Sequence, residues 1–315
     1  MALLQVRNIS KKVEDNLIID DIRFEQQALQ KIAIAGESGA GKTTLLKIIT
    51  GNVQPTSGIV LFEENKVLGP EEKLMPGHKN IGYLSQQYEL LNHYKVEELL
   101  YFDTAMDEDK ATLLFQICRI EHLLKRKTNN LSGGEKQRIG LCQLLVKQPK
   151  LLVLDEPFSN LDPIHTEILK NVLDDITQTL KITCLLTSHD PHDTLSWADE
   201  ILVIKNGKLI QQGTPQQLYY KPVNEYVAGL FGKYNLLKPS IAALFGIDTK
   251  GNTIMTRPEN FKIFKTGSGV KGIINKVSFW GSFYETEVMV EEEKLVIRSN
   301  IAEYKPADKV FVGLN

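Results

Sequence analysis

Eight residues, Gly36-Glu37-Ser38-Gly39-Ala40-Gly41-Lys42-Thr43, carry the spacing GxxxxGK[ST]. Glycines at 36, 39 and 41 let backbone N–H groups converge on phosphate oxygens that a Cβ would hold away. A helix starting near Lys42 adds its own unpaired N–H groups and the positive end of its dipole. Lys42 then neutralises β- and γ-phosphates, and the Thr43 hydroxyl is placed to ligate Mg²⁺. Further along, Asp155 and Glu156 close the apolar run LLVLDE. In a parallel sheet ligands sit at the carboxyl ends of strands, so both carboxylates should fall near the phosphates. One suits Mg²⁺, through water, and the other suits a general base on a water beside the γ-phosphate. A second anion site is suggested by Leu131-Ser132-Gly133-Gly134-Glu135. Ser132 and Glu135 form a capping box, but two consecutive glycines each cost a helix ~1 kcal/mol. They make sense where a large anion must approach bare N–H groups.

The elements that must hold these residues can be read from hydropathy. LLQV, LIID, IRFEQ and KIAIAG are strand-like, and Ile32–Ala35 runs as a buried strand into Gly36. TTLLKIIT (43–50) is helical in its spacing, with Gly51 as its stop. Residues 52–82 are turn-rich and predict short strands and loops. Residues 89–130 carry helical periodicity in YKVEELLYF and ATLLFQICRIEHLLK, and EKQRIGLCQLLVK predicts a helix closed by Pro149. LLVLDE, TCLLTS and ILVIKNG are near-continuous apolar runs, as strands of a parallel sheet covered on both faces require. From Gly251 the pattern becomes short β runs with glycine and charged turns, which predicts a small antiparallel barrel or sandwich.

GESGAGKTT, LSGGEKQR and LLVLDEP together resemble the nucleotide-binding subunit of an ABC transporter. The resemblance implies that the loop Gly36–Thr43, with Thr44, binds ATP, that Asp155 serves Mg²⁺ and that Glu156 is the catalytic base. It also implies roles for three further residues. Gln86, in GYLSQQ, is similar to the glutamine loop that contacts Mg²⁺ and the attacking water and touches the membrane partner. Asp162, in SNLD, is similar to the D-loop. His189, in LLTSHD, is similar to the switch histidine of the γ-phosphate. Leu131–Glu135 would then grip ATP held by a second subunit, in a homodimer or a heterodimer with a paralogue. GTPQQLYYKPVNEYVAGLFGKYNLL resembles the end of the ATPase domain in polyamine, iron(III), sulfate and sugar importers, and Arg257-Pro258-Glu259-Asn260 opens a tail like their OB-like TOBE domain.

The expected fold is therefore α/β: a P-loop ATPase domain over 1–235 with a helical insertion near 87–150, then a β-rich OB-like domain over 236–315. The expected activity is ATP hydrolysis with Mg²⁺, powering import through two separate permease subunits, with an external solute-binding protein as a further expected partner. The chain would sit on the cytoplasmic face of the membrane. Tyr88–Tyr94 is the candidate contact for a permease helix. Two departures stand out. Val13 falls where the family stacks an aromatic ring on adenine, and Leu141-Cys142-Gln143 replaces an alanine-arginine-alanine run.

The balance of 37 basic against 39 acidic residues, net −2, provides no basic footprint for nucleic acid. That weighs against a soluble ABC ATPase working on nucleic acid or ribosomes, which would also need coiled-coil insertions or two cassettes. A P-loop metabolite kinase would lack both LSGGE and the His189 strand end. No apolar run approaches the ~20 residues of a membrane span, and Arg7 comes too early for a signal-peptide core. Cys118, Cys142 and Cys184 show no CxxC spacing, so reduced thiols are expected rather than a disulfide or zinc framework.

Overall fold

The computed structural model describes residues 2–86, 88–101, 107–267, 269–300 and 303–315. Gln87 of GYLSQQ and residues 102–106 of the expected helical stretch lie outside the described residues. The chain divides into two compact units, Met1–Pro215 and Gln216–Asn315.

The first unit contains two sheets. An antiparallel sheet pairs β1 (Ala2–Val13) with β2 (Asn16–Gln27) on one side and, on the other, with the strand that follows the first helix. After β3 (Lys31–Ala35) comes α1 (Lys42–Ile49), then β4 (Ser57–Phe62), β5 (Asn65–Lys66) and β6 (Ile81–Leu84). The helical stretch supplies α2 (Val96–Tyr101), α3 (Glu108–Cys118) and α4 (Gly133–Val146). It ends in β7 (Leu151–Leu154), followed by α5 (Pro163–Thr179), β8 (Thr183–Ser188), α6 (Pro191–Trp197) and the hairpin β9 (Glu200–Lys205) to β10 (Lys208–Gly213).

The order β10-β9-β3-β8-β7-β6 defines the second sheet, parallel except for β10 at its edge. All four residues of β7 and all six of β8 are buried, which explains why their sequences do not alternate. One core joins both sheets to α1: Leu4, Val6, Ile32, Leu45, Leu46, Ile49, Val153 and Leu202 belong to the same buried cluster. α1 is thereby fixed at the end of β3, and that fixes the loop between them.

Among its described residues the helical stretch forms less helix than its periodicity predicts. α3 stops at Cys118 because Arg119 turns to φ 55° as its cap. Beyond it come only 3-10 turns at Glu121–Leu123 and Thr128–Asn130. Thr128 ties the second turn back to the start of the region, its hydroxyl donating to the Leu91 carbonyl at 2.7 Å.

In the second unit β11 (Asn235–Leu237) pairs with β12 (Ile254–Thr256). A five-stranded antiparallel sheet runs in the order β13 (Phe261–Phe264), β17 (Lys309–Leu314), β14 (Val270–Phe279), β15 (Tyr284–Val290), β16 (Glu293–Ser299). Phe261, Ile274, Val288, Leu295 and Val312 build its core. Residues 216–234 belong here because Arg257 holds them. Its guanidinium donates to the carbonyls of Tyr219, Ala228, Gly232 and Lys233 and stacks 4.1 Å from the Tyr219 ring. The compact unit thus begins at Gln216, before residue 236, where the sequence composition changes.

Candidate nucleotide site

Strand order accounts for the site. β3, β8, β7 and β6 lie side by side and parallel, so their carboxyl ends present the Gly36 loop, His189, Asp155–Glu156 and Gln86 along one edge of the sheet.

The loop between β3 and α1 needs its glycines at two places for different reasons. A Cβ on Gly36 would stand 2.3 Å from the Ile204 carbonyl oxygen, because the loop passes directly against β9. Gly41 caps α1 at φ 101° and lies against Ile18 and Ile19, where any side chain would be strained and crowded. Glu37, Ser38 and Gly39 are exposed, as is Thr43, while Thr44 is half-buried and Ala40 sits in the core. Lys42 is only 5% exposed. It folds back over its own loop, donating to the Gly36 carbonyl at 2.7 Å and that of Glu37 at 3.1 Å.

Lys42 also faces Glu156, with Nζ 3.6 Å from Oε1. The other carboxylate oxygen of Glu156 lies 2.9 Å from Nδ1 of His189 and accepts from the Gln86 amide at 3.3 Å. The structure therefore gathers Lys42, Gln86 and His189 around one carboxylate. Glu156 holds φ 48°, a conformation non-glycine residues seldom adopt and one that collects at functional sites.

Asp155 is buried beside it. Thr187, on β8, donates its hydroxyl to Asp155 Oδ1 at 2.8 Å and accepts from the Glu156 N–H at 2.9 Å. Tyr83, on β6, reaches the second Asp155 oxygen at 3.3 Å. Burial first, and then the neighbouring Asp155 charge, push the Tyr83 phenol far up, so it stays a hydrogen-bond donor. Neither Thr187 nor Tyr83 stands out in the sequence as a functional residue. A hydroxyl inside the apolar run TCLLTS is nonetheless a signal, since a buried hydroxyl must find a partner.

Ser132 caps α4 as its sequence predicts. Its hydroxyl accepts from the Glu135 N–H at 3.3 Å, and the Glu135 carboxylate accepts from the Ser132 N–H at 2.7 Å. Burial works upward on the Glu135 carboxyl, but these bonds, with Arg126 and Arg138 nearby, outweigh it and hold it below the ordinary range. Leu131 is buried beneath this turn. The N–H groups of Gly133 and Gly134 have no partner among the described residues. The two glycines differ in their surroundings. A Cβ at Gly133 would meet open space, whereas one at Gly134 would press on the His165 ring at 3.0 Å. Gly134 thus has a packing reason for its size, which the anion argument alone does not supply.

Asp162 caps α5, accepting from the His165 N–H at 2.9 Å. Tyr88 is not a free surface residue. Its ring covers Gly140 of α4, its hydroxyl contacts Gln143, and burial pushes its phenol up to about 12. The first residue of the expected permease contact is thus turned inward; Leu91 and Tyr94 are exposed. Val13 is 51% exposed at the end of β1.

The donor set fits Mg²⁺ arriving with a nucleotide. Thr43, Asp155 and Gln86 carry side-chain oxygens of the hard kind that Mg²⁺ takes, and among the described residues no group of three or more His, Cys, Asp or Glu could hold a metal ion.

A parallel sheet with a glycine loop before α1, a buried lysine and an acidic pair on the next strand but one defines a P-loop ATPase. Residues 19–159 match the model of the ABC transporter family. The chain is similar to the spermidine/putrescine import ATP-binding protein PotA of Acetivibrio thermocellus, 26% identical over 340 residues, with 100% of this chain and 94% of that protein covered. It is 29% identical over 323 residues to PotA of Borrelia garinii subsp. bavariensis, covering 95% and 92%. Among solved structures, cbiO1 of Clostridium perfringens, part of the cbiONQ complex, superposes with a TM-score of 0.63 at 28% identity, over 69% of this chain and 90% of that one. Over residues 19–159 the chain matches the ABC transporter family, and across its length it is similar to ATP-binding subunits of importers.

Proposed function

We propose that this chain is the ATP-hydrolysing engine of an import system whose permease subunits are separate chains. No described helix is long and apolar enough to cross a membrane, which fits a pore made elsewhere. The observation that carries the reading is the convergence of Lys42, Gln86 and His189 on Glu156.

The residues suggest the following division of labour. The Gly36–Thr43 loop holds the phosphates, and Lys42 exchanges Glu156 for the β/γ oxygens when ATP binds. Glu156, relieved of its lysine, accepts a proton from water placed in line with the γ-phosphate. His189 and Gln86 orient that water and sense the γ-phosphate from either side. Mg²⁺, held by Thr43, Asp155 through water and Gln86, would neutralise charge developing on the phosphate oxygens. Gly133 and Gly134, next to Ser132, present bare N–H groups at a helix start, suited to a second approach on the same anion. One γ-phosphate is gripped by both elements if two chains pair about a two-fold axis, sandwiching two ATP molecules. Hydrolysis then removes the charge that holds the pair closed, and a permease docked near Leu91 and Tyr94 converts the opening into movement. The full-length relatives import spermidine and putrescine, which makes polyamines the first solutes to try. An external solute-binding protein would deliver them, and the chain would work at the cytoplasmic face of the membrane.

A mixing experiment tests the shared site. Lys42→Ala and Ser132→Arg chains, each inactive alone, are combined. One interface of the mixed dimer carries both lesions and the other none, so hydrolysis should return. Demonstrated heterodimers without any activity would refute it.

A further inference from the structure

The hydrogen bond from the His165 N–H already caps α5 through one oxygen of Asp162, and any residue but proline at 165 could supply it. The other oxygen lies 2.6 Å from Nδ1 of the imidazole, a contact that capping does not require. The same side chain lies against Gly134, its Cγ and Cδ2 within 3.3 Å of where a Cβ would stand. In the same loop Ser159 is tied to Glu156, whose carbonyl accepts from the Ser159 N–H at 3.1 Å and from its hydroxyl at 2.8 Å. Hydrogen bonds from Ser159 to Glu156, the short stretch of chain from Ser159 to Asp162, and the contact of Asp162 with His165 together lead to the glycine whose N–H is unpartnered at the start of α4.

We propose that His165 is a positioning residue. It seats the first turn of α4 against the Asp162 loop, so that the N–H groups of Gly133 and Gly134 are aimed by the state of Glu156. This rests on the shared-site reading, in which those N–H groups serve ATP bound to the other chain while Glu156 serves the chain's own. His165 then links the two ATP sites of the pair. A smaller residue at 165 would leave the cap intact but release Gly134 from Asp162. The imidazole is about one-third exposed, so its loss does not hollow the core.

The test uses the full-length chain carrying Glu156→Gln, in which slow turnover lets MgATP-driven self-association be measured by analytical ultracentrifugation. His165→Ala and His165→Asn are made in that background, and MgATP affinity of each is measured with a fluorescent ATP analogue under dilute, monomeric conditions. Loss of a hydrogen bond to a carboxylate should weaken association by His165→Ala at least ~10-fold. Asn, whose amide can replace Nδ1–H, should recover most of it, while monomer ATP affinity stays within about two-fold. Association of the alanine variant equal to its parent would overturn this inference alone. So would a parallel loss of ATP affinity, which would make the role merely structural. A parent that fails to associate with MgATP would remove the shared-site reading, and the linkage with it.

Discussion

Replacing Glu156 by Gln keeps its shape and removes its charge, and the structure makes opposite forecasts for binding and for turnover. Lys42 Nζ lies 3.6 Å from the carboxylate, and both groups are largely shielded from water. Coulomb's law at an effective dielectric of ~20 gives a gross attraction of about 5 kcal/mol. ATP must draw Lys42 out of that pair, and phosphate charge replaces most of what is lost. Removing the competitor should therefore tighten MgATP binding by roughly 3- to 10-fold, up to ~1.4 kcal/mol. Turnover should move the other way. A missing general base costs ~10²–10⁴-fold. The assay is steady-state phosphate release alongside equilibrium binding of a fluorescent ATP analogue. Turnover near the parent's would refute the base assignment. ATP binding weaker than the parent's would refute the picture of Glu156 as a competitor for Lys42.

Thr187→Val removes a hydroxyl that serves both Asp155 and the Glu156 N–H. It should cost about 1–3 kcal/mol in urea unfolding and lower turnover by about an order of magnitude. Gly140→Ala should destabilise by ~1–3 kcal/mol although alanine favours helix, because its Cβ would stand 2.4 Å from the Tyr88 ring; a rise in melting temperature would contradict this. Glu135→Gln should cost about 1 kcal/mol at neutral pH as the capping box weakens. The folded-state pKa of Glu135 is lowered, so its contribution is present above the ordinary carboxylate range and is lost as pH falls through the lowered value. Melting curves of parent and variant should converge in acid. Exposed Val13 presents no aromatic face, so the dissociation constants for MgATP and MgGTP should differ by less than about 100-fold, or ~2.7 kcal/mol.

What was legible in the sequence followed from proximity along the chain. The phosphate loop declares itself because its glycines, Lys42 and the flanking β3 and α1 are consecutive, and the Ser132–Glu135 box closes over three residues. Asp155 and Glu156 could be placed because strand ends in parallel sheets share one edge. Contacts that depend on register between distant elements were not legible. Thr187 finds Asp155 only because β8 is zipped to β7 with Leu154 beside Leu186. Tyr88 looked like a docking-loop residue until α4 offered it Gly140 as a notch. In 89–130 the period predicted more helix than forms. Periodicity reports which face is buried, and cannot report that Arg119 leaves the helix in a left-handed turn.

The arrangement around Glu156 also explains how the site can be stable without nucleotide and still be primed for it. A buried lysine without a counter-charge would be costly, and so would a buried carboxylate. Each neutralises the other here, and the loop carbonyls of Gly36 and Glu37 take the remaining lysine hydrogens. The same pairing keeps one Glu156 oxygen engaged with Lys42. Phosphate binding removes that restraint. Once the lysine moves to the ligand, that oxygen is free while the other keeps His189 and Gln86. The carboxylate proposed as base would then be released by the substrate itself. Lys42→Ala, which removes the charge that the phosphates would take over, should bind MgATP at least ~10-fold more weakly than the parent. Equilibrium binding of a fluorescent ATP analogue reads that loss, and an affinity equal to the parent's would sink the argument.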